Sequence, residues 1–390
     1  MSLSSIGLIE GPDSASLPKA VHSIEGTVGF DYVANSVNDA LRGKVPENEK
    51  IYSNTALPTG LRYFFSFTDP NIRNYFPGGY QGLAVSLMNI GVGSQYGEKR
   101  ASHYIGNPVI AYIFQGAPFL KFRKRLSLNY EWNFGVSFGW EKYSIENDHF
   151  NLTVGSSINA YLNLSLLLKW QLNQNISLTG GVSLSHFSNG NTSWPNPGVN
   201  SMGVRLGLQY TINPLGKPFP EVKPDTVKKR KTEFDVSIWA STRKRAYLGG
   251  EVPVLLKGHY ACAGLSFSPM INLCPWVRVG GAADLQWDES SDLKKNYVEG
   301  STADDIKFIR PSFGRQLSVG LSAHGELKMP IFAVNIGIGY NFYAPQENRG
   351  TYQNITLKTY IWRYLFLNVG YQLRNFHQQA CLMLGLGTTF

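Results

Sequence analysis

From Leu126 to Trp140 the chain reads LSLNYEWNFGVSFGW, with apolar or aromatic residues at every even position and small, polar or acidic ones between them. A side-chain period of two belongs to a strand with two different faces. The pattern recurs from Ile158 to Leu172, and from Phe332 to Phe342, where Asn335, Gly337, Gly339 and Asn341 lie opposite the apolar set. It returns in the last strand, with Leu382, Leu384, Leu386, Thr388 and the terminal Phe390 on one face. The second face is what constrains the fold. A soluble sandwich buries its apolar face and solvates a charged one. Here the other face is mostly Ser, Asn, Gly and Gln, and aromatics gather near strand ends. That combination predicts an all-β, antiparallel transmembrane β-barrel with apolar residues outside, a polar interior and aromatic girdles.

Composition agrees. Charged residues make up 16% of the chain, against about a quarter in ordinary soluble domains. The 40 glycines suit many turns and a crowded interior. No run approaches the roughly 18 apolar residues of a spanning helix, and a barrel needs none. The three cysteines, Cys262, Cys274 and Cys381, lack metal-ligand spacing. They read as small apolar fillers, with a Cys262–Cys274 bridge as the alternative. Residues Met1 to Ala20 carry neither the basic n-region nor the apolar h-region of a secretory signal. The expectation is therefore a misassigned start or a processed chain, and a soluble β protein is the reading that this segment alone would favour.

Two related halves make up the chain. The run YLNLSLLLKWQLNQNISLTGGVSLSHFSN, followed by GVRLGLQY, has a counterpart in YQNITLKTYIWRYLFLNVGYQLRNFHQQ, followed by CLMLGLGTTF. The expected division is a first half over 1–212, a Pro/Lys-rich loop over 213–232 containing Lys228, Lys229, Arg230 and Lys231, and a second, degenerate half over 233–390. Membrane barrels usually use even strand numbers. One barrel of 12–16 strands is the preferred closure, and two eight-stranded barrels the alternative. With Phe390 at the periplasmic end, the hairpin tips at His186 and His377 are expected outside.

The most informative segment is the hairpin Gly181–Tyr210. On its first arm His186 and Ser188 continue the apolar face of Val182 and Leu184. On the second, Asn200 lies in phase with Met202, Val204, Leu206, Leu208 and Tyr210. Residues i and i+2 of a strand point the same way with Cα atoms roughly 6.5–7 Å apart, so the two side chains can meet as an activated nucleophile requires. Asn200, on the adjacent arm, can reach the far side of the imidazole. The structural alternative is three polar residues capping a hairpin at the interface.

The run His186-Phe187-Ser188-Asn189, with Pro195-Asn196-Pro197-Gly198-Val199-Asn200-Ser201 after it, resembles the lipid A 3-O-deacylases of Gram-negative outer membranes, the PagL type. The resemblance is clearest from about Gly106 to Tyr210. It implies an eight-stranded barrel that removes an ester-linked acyl chain from lipid A with no metal or other cofactor. It makes His186 the general base, Ser188 the nucleophile and Asn189, with Asn196, the support of the oxyanion site. Where that family carries glutamate, this chain has Asn200. A triad's third residue orients the imidazole and stabilises the imidazolium. Asparagine can do the first through its side-chain oxygen but supplies no charge.

The implied substrate is lipid A or lipopolysaccharide in the outer leaflet of a Gram-negative bacterium's outer membrane. The formal net charge of +9 suits its anionic phosphates. No nucleic-acid partner is expected. The alternative function is a catalytically inactive barrel serving as a pore or as a scaffold for an outer-membrane protein partner.

Overall fold

In the computed structural model every long element is a β-strand, and the strands close into two separate barrels. The structure describes residues 20–34, 55–90, 105–144, 151, 153–215, 232–247, 254–292, 297–298, 307–376 and 378–390. The Lys228–Lys231 run and His377 lie outside the described residues, as does most of the amino-terminal segment.

The first barrel comprises β1 (Ala20–Ala34), β2 (Thr55–Phe67), β3 (Tyr80–Ile90), β4 (Gly106–Arg123), β5 (Leu126–Trp140), β6 (Ile158–Gln171), β7 (Ile176–Ser188) and β8 (Val199–Thr211). A short helix, α1 (Pro70–Tyr75), lies between β2 and β3. The second barrel comprises β9 (Thr232–Arg243), β12 (Tyr260–Cys274), β13 (Val277–Asp288), β16 (Leu317–Lys328), β17 (Phe332–Tyr343), β18 (Gly350–Tyr360), β19 (Leu365–Arg374) and β20 (Gln378–Thr389). Two small ribbons, β10 (Ala246–Tyr247) with β11 (Val254–Leu255) and β14 (Tyr297–Val298) with β15 (Lys307–Phe308), decorate its loops.

Of the two closures left open by the sequence, the chain adopts two eight-stranded barrels rather than one of 12–16 strands. The reason is register. β1 pairs antiparallel with β8, setting Ile24 opposite Tyr210, Val28 opposite Leu206, Phe30 opposite Val204 and Tyr32 opposite Met202. All eight side chains are exposed on the outer wall, so both apolar faces stay in phase where the sheet closes. A slip of one residue would put every one of them on the wrong side. β20 and β9 close the second barrel in the same way, with Leu386 opposite Ile238.

The wall is apolar outside and filled within. Leu164 and Leu206 are 65% and 62% exposed, whereas Arg62, Glu25 and Glu131 are each 2% exposed. In the first barrel Glu131 accepts from Arg62 at 2.6 Å and from Arg205 at 2.9 Å, and Arg62 also binds Glu25. In the second, Arg278 meets Asp235 at 2.8 Å and Glu326 at 2.5 Å, and Lys358 meets the same two carboxylates. Eight strands leave an interior just wide enough for side chains, and these pairs occupy it.

Two expectations need refinement. Trp140 does not continue the outward face of β5. Gly139 has φ +88° and turns the strand over, so Trp140 is buried, donates from Nε1 to Ser137 Oγ at 2.8 Å and packs on Phe187. The interior of the first barrel is also not polar throughout. Phe64, Tyr80, Ile110, Tyr112, Phe114, Tyr161, Phe187 and Val199 belong to one buried apolar cluster. The three cysteines are free thiols, and Cys262 and Cys274 sit at opposite ends of β12.

Candidate active site

The β7–β8 hairpin carries the predicted residues to one rim of the first barrel. β7 alternates as expected, with Val182 and Leu184 exposed on the outer wall and Ser183, Ser185 and Phe187 buried inside. Phe187 is held by Tyr161, at 5.1 Å between ring centroids, and by Trp140, at 5.0 Å. Those contacts fix the strand from within, and they lie directly between His186 and Ser188 in sequence. His186 pairs with Asn200 across the ladder.

The pairing brings His186 Nδ1 to 2.7 Å from Asn200 Oδ1. A side-chain carbonyl oxygen can only accept, so this contact places the imidazole proton on Nδ1 and leaves Nε2 as the acceptor. Room for the ring comes from Gly198, which has φ +82°. A Cβ there would stand 2.7 Å from His186 Cε1 and 3.3 Å from Nε2. Glycine therefore serves twice, in a backbone conformation that L-residues avoid and against the imidazole edge.

Ser188 is buried, and its hydroxyl donates to Asn196 Oδ1 at 3.2 Å. The same Asn196 oxygen accepts from the Asn189 backbone N–H at 2.9 Å, and the Gly190 N–H points at Ser188 Oγ at 3.2 Å. The Asn189 side chain donates to the carbonyls of Ser193, at 3.0 Å, and Pro195, at 3.4 Å. Asn189 and Asn196 therefore lie at the site, where both knit the loop 189–198 into a rigid turn. Trp194, whose peptide bond to Pro195 is cis, packs edge-on against Tyr143 at 5.0 Å. Burial pushes the Tyr143 hydroxyl above the usual phenol range. In chemical terms the hairpin brings a buried hydroxyl, an imidazole whose Nδ1 meets a side-chain carbonyl, and the neutral amide that carries that carbonyl to one rim.

Sequence reasoning missed the other side of the site. The loop tip docks on the second barrel: Asn191 Nδ2 donates to Ala380 O at 2.8 Å and the Lys244 N–H donates to Thr192 O at 2.9 Å. Gly190, with φ +66°, lies against Leu382 so closely that a Cβ would come within 2.7 Å of it. No local pattern could have announced these contacts, because they join segments on opposite sides of the linker. Among the described residues no cluster of His, Cys, Asp and Glu could hold a metal ion.

Comparison with known proteins assigns both halves. Residues 78–209 match the family model "Lipid A 3-O-deacylase (PagL)", and residues 234–390 match "Acyloxyacyl hydrolase, C-terminal domain". No curated protein matches the chain in sequence. Among solved structures, a mutant of the ferric enterobactin receptor PfeA from Pseudomonas aeruginosa is 8% identical, with 90% of this chain and 67% of that one covered and a TM-score of 0.24. The COG4313 outer membrane channel of Pseudomonas putida F1 is 14% identical, with 98% and 100% covered and a TM-score of 0.20. The FrpB iron transporter of Neisseria meningitidis is 9% identical, with 96% and 82% covered and a TM-score of 0.23. Likenesses this remote carry no argument about the present chain. The family models are different: between them they span most of the sequence and each falls on one closed barrel. This chain belongs to the PagL-type lipid A 3-O-deacylase and acyloxyacyl hydrolase family of outer-membrane β-barrels.

Proposed function

We propose that the protein is an outer-membrane serine esterase that removes one ester-linked acyl chain from lipid A, with Ser188 as nucleophile, His186 as general base and Asn200 in the acid's place. The observation that carries this reading is the 2.7 Å contact between His186 Nδ1 and Asn200 Oδ1. It holds Nδ1 as the donor, so that in the neutral imidazole Nε2 is the acceptor, on a ring that shares its face of β7 with Ser188.

The resting hydroxyl points to Asn196 across 3.2 Å, which is long for an O–H···O bond. Redirecting it toward the imidazole on substrate binding therefore costs little. Catalytic hydrogen bonds are often loose before the substrate arrives. Asn189 and Asn196 act by bracing the loop that carries the nucleophile. Below the site, Leu184 and Met202 are 55% and 57% exposed on the outer wall, an apolar track for an acyl chain whose ester reaches the rim. The filled interiors disfavour the alternative of an aqueous pore.

The test uses the full chain refolded in detergent and incubated with lipid A, beside Ser188→Ala and His186→Ala. Mass spectrometry should show loss of one hydroxyacyl chain with the parent and none with either variant. An inactive but folded parent, or a Ser188→Ala protein as active as the parent, would overturn the assignment.

A further inference from the structure

Tyr371 lies on β19, whose outward residues Leu365, Leu367 and Val369 form a lipid-type apolar face. Its hydroxyl is buried and completes no hydrogen bond of full geometry. A buried hydroxyl without a well-formed hydrogen bond is costly. The group it faces, across the boundary between the barrels, is the hydroxyl of Ser188. Its neighbour in the ladder is Leu382, the residue that presses on Gly190. The two barrels thus meet where the nucleophile sits.

The first barrel, meanwhile, has few donors to spare. The Asn189 N–H is committed to Asn196, and the Asn189 side-chain amide to two loop carbonyls. Of the donors around Ser188, the Gly190 N–H already points at the reacting oxygen. An acyl transfer needs donors aimed at the position the carbonyl oxygen occupies as it becomes negative.

We propose that the second barrel completes the active site, and that Tyr371 is a catalytic residue whose O–H, with the Gly190 N–H, stabilises the oxyanion. This rests on the esterase reading above. Ser188 Oγ attacks the ester carbonyl carbon and His186 Nε2 takes its proton. The carbonyl π pair moves onto oxygen, where Tyr371 and Gly190 donate to it. Collapse restores the carbonyl and expels the sugar alcohol, which leaves with the proton held by His186. Water, deprotonated by the same imidazole, then cleaves the acyl-serine to a free hydroxy fatty acid and regenerates Ser188. The substrate's path follows from burial: Ser188 is 6% exposed, while His186 and Asn200 are half-buried, so the ester approaches along the seam from the imidazole side.

The experiment compares the full-length parent with Tyr371→Phe, which keeps the ring in the seam and removes only the hydroxyl. Two reactions are followed: deacylation of lipid A, and covalent modification of Ser188 by a long-chain alkyl phosphonate ester. Loss of one oxyanion donor lowers kcat by about 10²–10³-fold, with KM little changed. The phosphonate rate should fall in parallel, since phosphonylation develops the same oxyanion. A parent inert toward lipid A but phosphonylated at Ser188 in a Tyr371-dependent manner would sink the substrate assignment and uphold Tyr371. A Tyr371→Phe rate within about threefold of the parent in either reaction would overturn Tyr371's role while leaving the esterase intact. A parent inert in both, with its heat-modifiable gel shift showing correct folding, would overturn both readings.

Discussion

Replacing Asn200 with aspartate asks what the missing charge is worth. The substitution is isosteric, and the His186 Nδ1 contact of 2.7 Å is already the length of a good hydrogen bond. Asn200→Asp therefore changes the charge facing the imidazole and little else. A net hydrogen bond between neutral groups contributes about 0.5–1.5 kcal/mol, and one to a charged group about 1.5–3 kcal/mol. The imidazolium that forms as Ser188 loses its proton should gain the difference, about 1–1.5 kcal/mol. At about 1.4 kcal/mol per decade, that raises kcat by roughly 5- to 12-fold. The gain is far smaller than the change of about 10⁴ that accompanies the aspartate-to-asparagine exchange in trypsin-type enzymes, where the wrong tautomer is part of the loss. Here the tautomer is already set by an oxygen that can only accept. Asn200 is also half-buried at a rim, so a carboxylate there keeps part of its hydration. The assay is single-turnover release of the hydroxyacyl chain from lipid A, with Asn200→Ala as the companion that removes orientation as well. Asn200→Asp should exceed the parent and Asn200→Ala should fall well below it. An Asn200→Ala protein as fast as the parent would refute the claim that this residue orients the base. An aspartate variant slower than the parent would refute the charge argument.

Gly198→Ala should fold but lose about 10- to 100-fold in kcat, because its Cβ would stand 2.7 Å from His186 Cε1 and a misplacement of about 1 Å can cost 10²-fold; kinetics beside a gel-shift check of folding will tell. Glu131→Leu leaves Arg205 without its carboxylate and Arg62 with Glu25 alone in the first barrel's interior, and unpairing a buried charge costs about 3–5 kcal/mol. Its urea midpoint for unfolding in detergent should drop accordingly, and an unchanged midpoint would show that the ion pairs contribute little. In planar bilayers the purified protein should give no steady conductance, since side chains fill both interiors; stable single-channel steps would contradict that packing.

The sequence announced its faces because the period-two rule acts locally: Val182, Leu184 and His186 had to share one side of β7. It announced the His186–Asn200 contact because one short hairpin holds both residues. Other features depended on information that no window of sequence holds. Whether β8 pairs with β1 or continues into β9 is settled by matching Tyr210 to Ile24 and Met202 to Tyr32 across most of a half-chain. Trp140 looked like the next outward aromatic until the positive φ of Gly139 inverted the strand. Phe187 is clamped by Trp140 and Tyr161, contacts that hold β7 from within. The companion of the site, Tyr371, was hidden as one more aromatic on an apolar wall.

That companion answers a physical difficulty. An eight-stranded barrel filled by Arg62, Glu131, Arg205 and a layer of aromatics has no interior in which to enclose a substrate. Any chemistry must sit on its rims or outer wall, where the surface is convex and lipid surrounds it. A second wall turns the convex surface into a cleft. The contacts of Gly190 with Leu382 and of Asn191 with Ala380 put that wall beside Ser188. The second barrel can thus contribute to catalysis through shape and a single hydroxyl. The physical requirement on it is the position of β19 and β20 against the loop, rather than any chemistry in its own lumen.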